Sequence, residues 1–299
     1  MALKIKPDYV EVYNNKCEVY ERSNKLAELS EVIDIAKATL KKLPDDLQLF
    51  ESLFNYRSNN YVGCEKLINL INVDQLDPKR RPRFWQLKAK LMHHQEDFKS
   101  AFIFFAEMNR AFINVSHHNG KDAQVYFDEL LNRRKQLNGI LETPYSECVR
   151  EPSTKAPTFL IGFPRSGTTL LDAILSTHSK IDVVEEKEML SKARSQLGNE
   201  LSIVDIEKVT SGEIAKAKKA YFEELAKHTS TKNNGCVIDK LPLNILHVPI
   251  IHQMFPTAKF IFMLRHPLDS ILSCWMQNFK LNTAMANMLE LDRVVDFYC

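Results

Sequence analysis

Residues 158–171, TFLIGFPRSGTTLL, couple a short apolar strand to a helix start through a loop bounded by two glycines. Gly162 and Gly167 stand at the spacing of a phosphate-binding loop, with Thr168 and Thr169 after them. The usual pattern has a lysine where this chain has Thr168. The loop can wrap an anion, but it lacks the side chain that works on the β- and γ-phosphates of a nucleoside triphosphate. The pattern points away from ATP in its usual pose.

Beyond the loop, apolar β-rich runs alternate with helical patterns. Strands are expected over 158–161, 180–184, 235–239 and 259–264, with helices starting at Gly167, Gly212, Leu243 and Pro267. Such alternation implies a parallel α/β sheet, and ligands of such sheets bind at the carboxyl ends of the strands. The residues just past each strand should therefore face one site. They are 164–169, Glu185 and Glu186, Lys240, and Arg265. An anion loop, carboxylates, a lysine and an arginine are chemically complementary.

The first 150 residues read differently. They hold only Gly63, Gly120 and Gly139, and their pattern is helical. The stretch 85–109, WQLKAKLMHHQEDFKSAFIFFAEMN, reads as a helix, a turn at 95–97 and a second helix. Trp85, Ala89, Ala101 and Phe105 match the offsets of the tetratricopeptide (TPR) pattern. A small residue at 101 lets two helices approach, and an aromatic at 105 fills the gap behind them. An irregular helical bundle is the alternative. Further helices are expected over 27–40 and 47–59, with LPDD at 43–46 as a break, and a charged amphipathic helix over 121–138. Pro144, Pro152 and Pro157 mark a boundary within 143–157. The expected fold class is a two-domain α plus α/β protein. An all-α TPR-like domain spans 1–150, and a P-loop-type parallel α/β domain spans 151–299.

With 299 residues, 44% hydrophobic and 26% charged, the chain can bury two cores. A net charge of +2 makes no global case for nucleic acid or membrane binding. The six cysteines show no paired spacing, so neither a disulfide framework nor a structural zinc site is indicated. The first residues, MALKIKPDYVEVY, lack the apolar core of a signal peptide, and no apolar run approaches membrane-spanning length. A cytoplasmic setting is the expectation.

Within the loop, backbone N–H groups of 165–169 can point at an anion at a helix amino end. Arg165 adds fixed charge, and Ser166, Thr168 and Thr169 add hydroxyl donors. The alternative is a bare strand-to-helix turn. A second element is FIFMLRHPLDSILSCW, residues 260–275. Arg265 ends its strand, Pro267 and Asp269 suit the first helical turn, and Ser273 lies two turns on. Arg265 and Ser273 can share a second phosphate, although a strand-end arginine is more often a surface charge. His178 and His266 read as structural, and Trp275, Met276 and Phe279 as helix core.

Together these elements resemble the sulfotransferase family. PRSGTT resembles that family's loop for the 5′-phosphosulfate of 3′-phosphoadenosine-5′-phosphosulfate (PAPS), and Arg265 and Ser273 match its 3′-phosphate pair. HSKIDVVEEKEML and DKLPLN look most like the tyrosylprotein sulfotransferases and bacterial proteins that join TPR repeats to a sulfotransferase domain. The resemblance covers about 155–299. It implies that Arg165, Ser166, Gly167, Thr168 and Thr169 hold the 5′-phosphosulfate. It makes Glu186 the base that takes the acceptor's proton, with Glu185 as the alternative. It makes Lys240 the cation on the sulfuryl group and the leaving phosphate. The family usually has a glycine just ahead of the acid, where this chain has Val184.

The implied activity is sulfuryl transfer from PAPS to a hydroxyl acceptor: a protein tyrosine, a carbohydrate or a small alcohol. No metal is expected, because Arg165 and Lys240 supply positive charge. The TPR-like half is expected to serve a protein or polysaccharide partner, or self-association. Two other readings stand beside this one. One is a nucleotide-dependent phosphotransferase with Asp239 as its magnesium acid. The other is a non-catalytic interaction protein. Sulfotransferase domains normally run well beyond a point such as Cys299, so the resemblance also implies a fragment or a shortened form.

Overall fold

The computed structural model describes residues 2–115, 120–141, 156–197, 209–229 and 235–299. They form two compact units, Met1–Asn119 with Trp275–Glu290, and Gly120–Cys274 with Leu291–Cys299. The boundary expected within 143–157 falls almost wholly outside the described residues.

The first unit is helical: α1 (Ala2–Ile5), α2 (Val10–Arg22), α3 (Leu26–Thr39), α4 (Asp45–Arg57), α5 (Tyr61–Ile68), α6 (Arg81–His94) and α7 (Phe98–Val115). Helical spacing of apolar residues explains the packing. In α3, Leu29, Val32, Ile33 and Ala36 recur on one face and are all buried. In α6, Phe84, Leu87 and Leu91 do the same.

Three helical hairpins repeat: α2–α3, α4–α5 and α6–α7. Each is turned by three residues with a left-handed residue in the middle, Asn24, Asn59 or Glu96. The hydrogen bonds are the same each time. Lys25 N–H reaches the Tyr20 carbonyl, Asn60 reaches Asn55, and Asp97 reaches Met92, at 2.8, 2.8 and 3.0 Å. This is the Schellman closure, which satisfies helix-end carbonyls and reverses the chain.

The expected hairpin at 85–109 is present. Ala89, Ala101 and Phe105 are buried, and the Trp85 ring stacks on Phe104 with centroids 5.7 Å apart. Trp275 is a core residue of this unit, against Phe102 and Phe105 at 4.7 and 6.1 Å.

The second unit contains α8 (Gly120–Leu141), β1 (Thr158–Gly162), α9 (Thr168–Leu175), β2 (Ile181–Glu185), α10 (Met189–Arg194) and α11 (Ser211–Leu225). It continues with β3 (Cys236–Lys240), α12 (Val248–Met254), β4 (Lys259–Met263), α13 (Pro267–Trp275) and α14 (Leu291–Tyr298). All four expected strands form, and every pairing is parallel, in the order β2-β3-β1-β4. Phe159, Ile161, Val184, Tyr221 and Ile251 lie in one apolar core. Thr210 and Glu213 close a reciprocal capping box on α11.

One local expectation is corrected. The helix expected from Leu243 opens as a 3-10 turn, Pro242–His247, and becomes α-helical only at Val248. Pro249 has no N–H to donate to the previous turn, so the two pieces do not merge. Toward the carboxyl end, a 3-10 turn at Met285–Met288 precedes α14. There the Asn287 side chain bonds the Thr283 carbonyl at 2.8 Å, in place of a regular helical donor. The short helix α10 has no counterpart among the expected elements.

Candidate active site

The loop after β1 is shaped by close approach. A Cβ at Gly162 would stand 2.8 Å from the Met263 carbonyl oxygen and 2.9 Å from Ser166 Oγ, so only glycine fits. Arg165 and Gly167 both take left-handed backbone, with φ of 66° and 106°. Alternating hand on either side of Ser166 curls successive N–H groups into a concavity that suits an anion. The N–H groups of Gly167, Thr168, Thr169 and Leu170 make no backbone hydrogen bond. Ser166 is 5% exposed, and its hydroxyl is buried without a partner. A buried, unsatisfied hydroxyl is costly unless a ligand completes it.

A non-glycine residue in left-handed backbone costs about 1–2 kcal/mol, and Arg165 is tied down on both sides. Its Nε donates to Ser273 Oγ at 3.1 Å. Its carbonyl accepts from Arg265 at 3.1 Å. Arg265 also faces Asp269 across 3.5 Å. Below the loop, the Cys274 thiol donates to the Pro164 carbonyl at 3.3 Å. Burial pushes that thiol up to about 12, against the pull of Arg165, so it keeps the proton it donates.

The second cluster stands at the ends of β2 and β3, where Glu185 and Lys240 are register partners. Lys240 is 0% exposed, and its Nζ is 2.9 Å from Oε1 of Glu185 and 2.9 Å from Oε1 of Glu186. Burial acts to lower the lysine's pKa, yet the two carboxylates together outweigh it and hold the ammonium above its usual range. Glu186 has φ of 49°, and its N–H bonds the Lys240 carbonyl at 2.8 Å, extending the ladder one residue past the strand. This turn brings both glutamates round to one lysine. Val184 is an ordinary core position, 3% exposed.

The residues singled out in the sequence thus gather into two sets on one sheet edge. Arg165, Arg265 and Ser273 are joined by direct bonds, with Arg165 at the centre. Lys240, Glu185 and Glu186 form the other set. β1 lies between β3 and β4 and links them, with Leu160 level with Lys240 and Gly162 level with Met263. Thr169 is exposed at the start of α9, and Thr168 is buried. His178 closes a turn by accepting the Lys180 N–H at 3.2 Å, a structural role.

Asp239 points elsewhere. It is 1% exposed, accepts the Tyr221 hydroxyl at 2.7 Å and faces the Asn244 amide at 3.5 Å. Burial raises its carboxyl to about 7, against the Tyr221 hydrogen bond. It is engaged in the core, which leaves the phosphotransferase alternative without its magnesium acid. Among the described residues, no group of three or more His, Cys, Asp or Glu is placed to hold a metal ion.

Two features had no sequence signal. A cavity of about 300 Å³ adjoins the loop, walled by Phe163, Leu246, Phe262, Phe297 and Tyr298, with Arg265 at its edge. Ser166 and Ser270 both line it, and the Ser270 hydroxyl is also buried without a partner.

Residues 157–298 match the family model described as the sulfotransferase family. In these residues the chain is similar to that family. An uncharacterised protein of Aquifex aeolicus (strain VF5) is 26% identical over 271 residues, which covers 85% of this chain and 34% of that protein. Protein-tyrosine sulfotransferase 2 of Gallus gallus is 31% identical over 122 residues, 38% of this chain and 32% of the relative. Protein-tyrosine sulfotransferase 1 of Danio rerio is 32% identical over 122 residues, covering 38% and 34%. The chain spans about a third of the length of these curated relatives. No solved structure matches the chain significantly. Among the described residues, no helix is long and apolar enough to cross a membrane.

Proposed function

We propose that this protein transfers a sulfuryl group from PAPS to an acceptor hydroxyl. The observation that carries the reading is the buried Lys240 ammonium, held by two carboxylates at the sheet edge that also carries an unsatisfied anion loop. The loop's residues fit the donor nucleotide. Free N–H groups of 167–170 and the Ser166 hydroxyl suit a 5′-phosphosulfate, with Thr168 and Thr169 as further donors. Arg265 and Ser273 suit the 3′-phosphate. The ring-lined cavity beside the loop suits a flat ring.

In the reaction, the acceptor oxygen bonds to sulfur as the bond from sulfur to the bridging phosphate oxygen breaks. The acceptor proton passes to Glu186, and negative charge develops on the leaving phosphate. Fixed cations and backbone dipoles aimed at that charge lower the barrier, and Lys240 and Arg165 supply the cations in this scheme. A carboxylate within hydrogen-bond reach assists loss of the acceptor proton. Glu185 shares Lys240 and is the positioning partner in this scheme.

The acceptor hydroxyl is carried by a protein or a polysaccharide, and the helical hairpins of the first unit act as a TPR-like module that presents it or associates with a second copy. Free thiols at Cys17, Cys64, Cys236, Cys274 and Cys299 suit a cytoplasmic setting.

Calorimetric titration with 3′-phosphoadenosine-5′-phosphate, beside ATP with magnesium, tests the reading. Preference for the bisphosphate, weakened by Arg165→Ala and by Arg265→Ala, supports it. Preference for ATP with magnesium sinks it. Tight bisphosphate binding without transfer to any offered hydroxyl would leave a binding protein rather than an enzyme.

A further inference from the structure

The helical hairpins of the first unit and the segment 277–281 line a cleft of about 1000 Å³. Its walls come mainly from the first helix of each hairpin: α2 supplies Glu18 and Glu21, α4 supplies Leu53 and Arg57, and α6 supplies Arg83 and Leu87. Repeated hairpins that stack in this way present their first helices along one continuous surface, which suits an extended ligand.

The charge of this surface is one-sided. Seven cations line it against three carboxylates, whereas the whole chain carries a net charge of only +2. The carboxylates are already engaged. Glu18 holds Arg22 and Arg83 at 2.6 and 3.2 Å. Glu21 holds Arg57 and Arg83 at 2.8 and 3.5 Å. Asp77 faces Arg80 across 3.6 Å, and Arg80 also bonds Asp46 at 2.7 Å. The ion pairs fix the arginines in place and leave a positive surplus. Lys79 and Lys280 are exposed on the cleft, and neither makes an ion pair with a described residue.

We propose that this cleft binds an acidic polypeptide segment. The apolar part of the cleft favours a peptide over a uniform polyanion. Tyr56, Phe112 and Phe279, each half-buried on its wall, offer contact to side chains between the acidic ones. Charge complementarity raises the encounter rate and selects among partners, and the engaged arginines are pre-ordered for a ligand carboxylate. The inference needs no sulfotransferase activity and stands apart from that reading.

Fluorescence anisotropy on the full chain tests it. The probe is a labelled peptide of alternating Glu and Leu with Gly spacers, free of Tyr, Ser and Thr, so that no acceptor hydroxyl is present. Saturable binding is expected, weakened roughly tenfold by Lys79→Glu with Lys280→Glu and weakened further by added salt. Lys41→Glu, outside the cleft, should leave it unchanged. A Lys–Leu peptide should not bind. Equal binding of both peptides, no effect of the double variant in a protein with unchanged circular dichroism, or stronger binding of a sulfated polysaccharide would each overturn the proposal.

Discussion

Lys240 Nζ lies 2.9 Å from Oε1 of Glu186, although the two residues come from different strand ends. The contact depends on the left-handed backbone of Glu186, which turns its side chain back toward β3. Glu185, one residue earlier, reaches the same ammonium at 2.9 Å from the strand itself. If Glu186 is the base and Glu185 a positioning partner, the two glutamines separate them. Glu186→Gln should lower turnover by about 100-fold or more while bisphosphate affinity stays within about twofold. Glu185→Gln should cost less in turnover. Near-normal turnover in Glu186→Gln, or a larger loss in Glu185→Gln, would reverse the assignment.

The second set predicts a graded loss of nucleotide binding. Arg165 is bonded to Ser273 and, through its carbonyl, to Arg265. Arg165→Ala removes a charge, whereas Ser273→Ala removes one neutral acceptor. A charged contact is worth roughly twice a neutral one. Calorimetry should show a loss of about tenfold or more for Arg165→Ala and about 1 kcal/mol for Ser273→Ala. Equal losses would mean that Arg165 acts through Ser273 alone.

The site was more legible in the sequence than its connections were. Strand ends in a parallel sheet converge, so Arg165, Lys240 and Arg265 could be placed on one edge from spacing alone. That Arg165 would bond Ser273, or that both glutamates would share Lys240, depends on the left-handed turns at Arg165 and Glu186. Neither residue type advertises such a turn. The helical hairpins show the opposite case. Asn24 and Asn59 are residues that tolerate left-handed backbone, and each follows a serine at a helix end. Glu96 carries no such signal, and the third hairpin was legible instead from the helical offsets of Trp85, Ala89, Ala101 and Phe105.

Asp239 predicts a pH effect on stability. Its carboxyl is raised to about 7 from an ordinary value of 3.8, chiefly by burial. Between those values the native state holds a proton that the unfolded state has released. Stability therefore falls as pH rises through that window, with the full cost present above it. Asp239→Asn cannot ionise and keeps an oxygen to accept the Tyr221 hydroxyl. In urea unfolding from about pH 4 to about pH 8, the variant should gain on the wild type as pH rises. Parallel curves would show that Asp239 titrates normally.

Two glycines in the second unit should respond in opposite directions. A Cβ at Gly162 meets the Met263 carbonyl oxygen at 2.8 Å, a backbone atom of a paired strand, and Ser166 Oγ at 2.9 Å. β4 cannot retreat without breaking its ladder to β1, and Ser166 cannot retreat without opening the loop. Gly162→Ala should therefore cost about 1–3 kcal/mol in urea unfolding and also weaken bisphosphate binding. Gly212 lies in the first turn of α11 with nothing within 4 Å of an added Cβ. Gly212→Ala should leave binding unchanged and stabilise by up to about 1 kcal/mol, since alanine is the better helix former. The pair distinguishes steric demand at the loop from a general intolerance of substitution. A neutral Gly162→Ala would mean that β1 and β4 stand further apart than the register here requires.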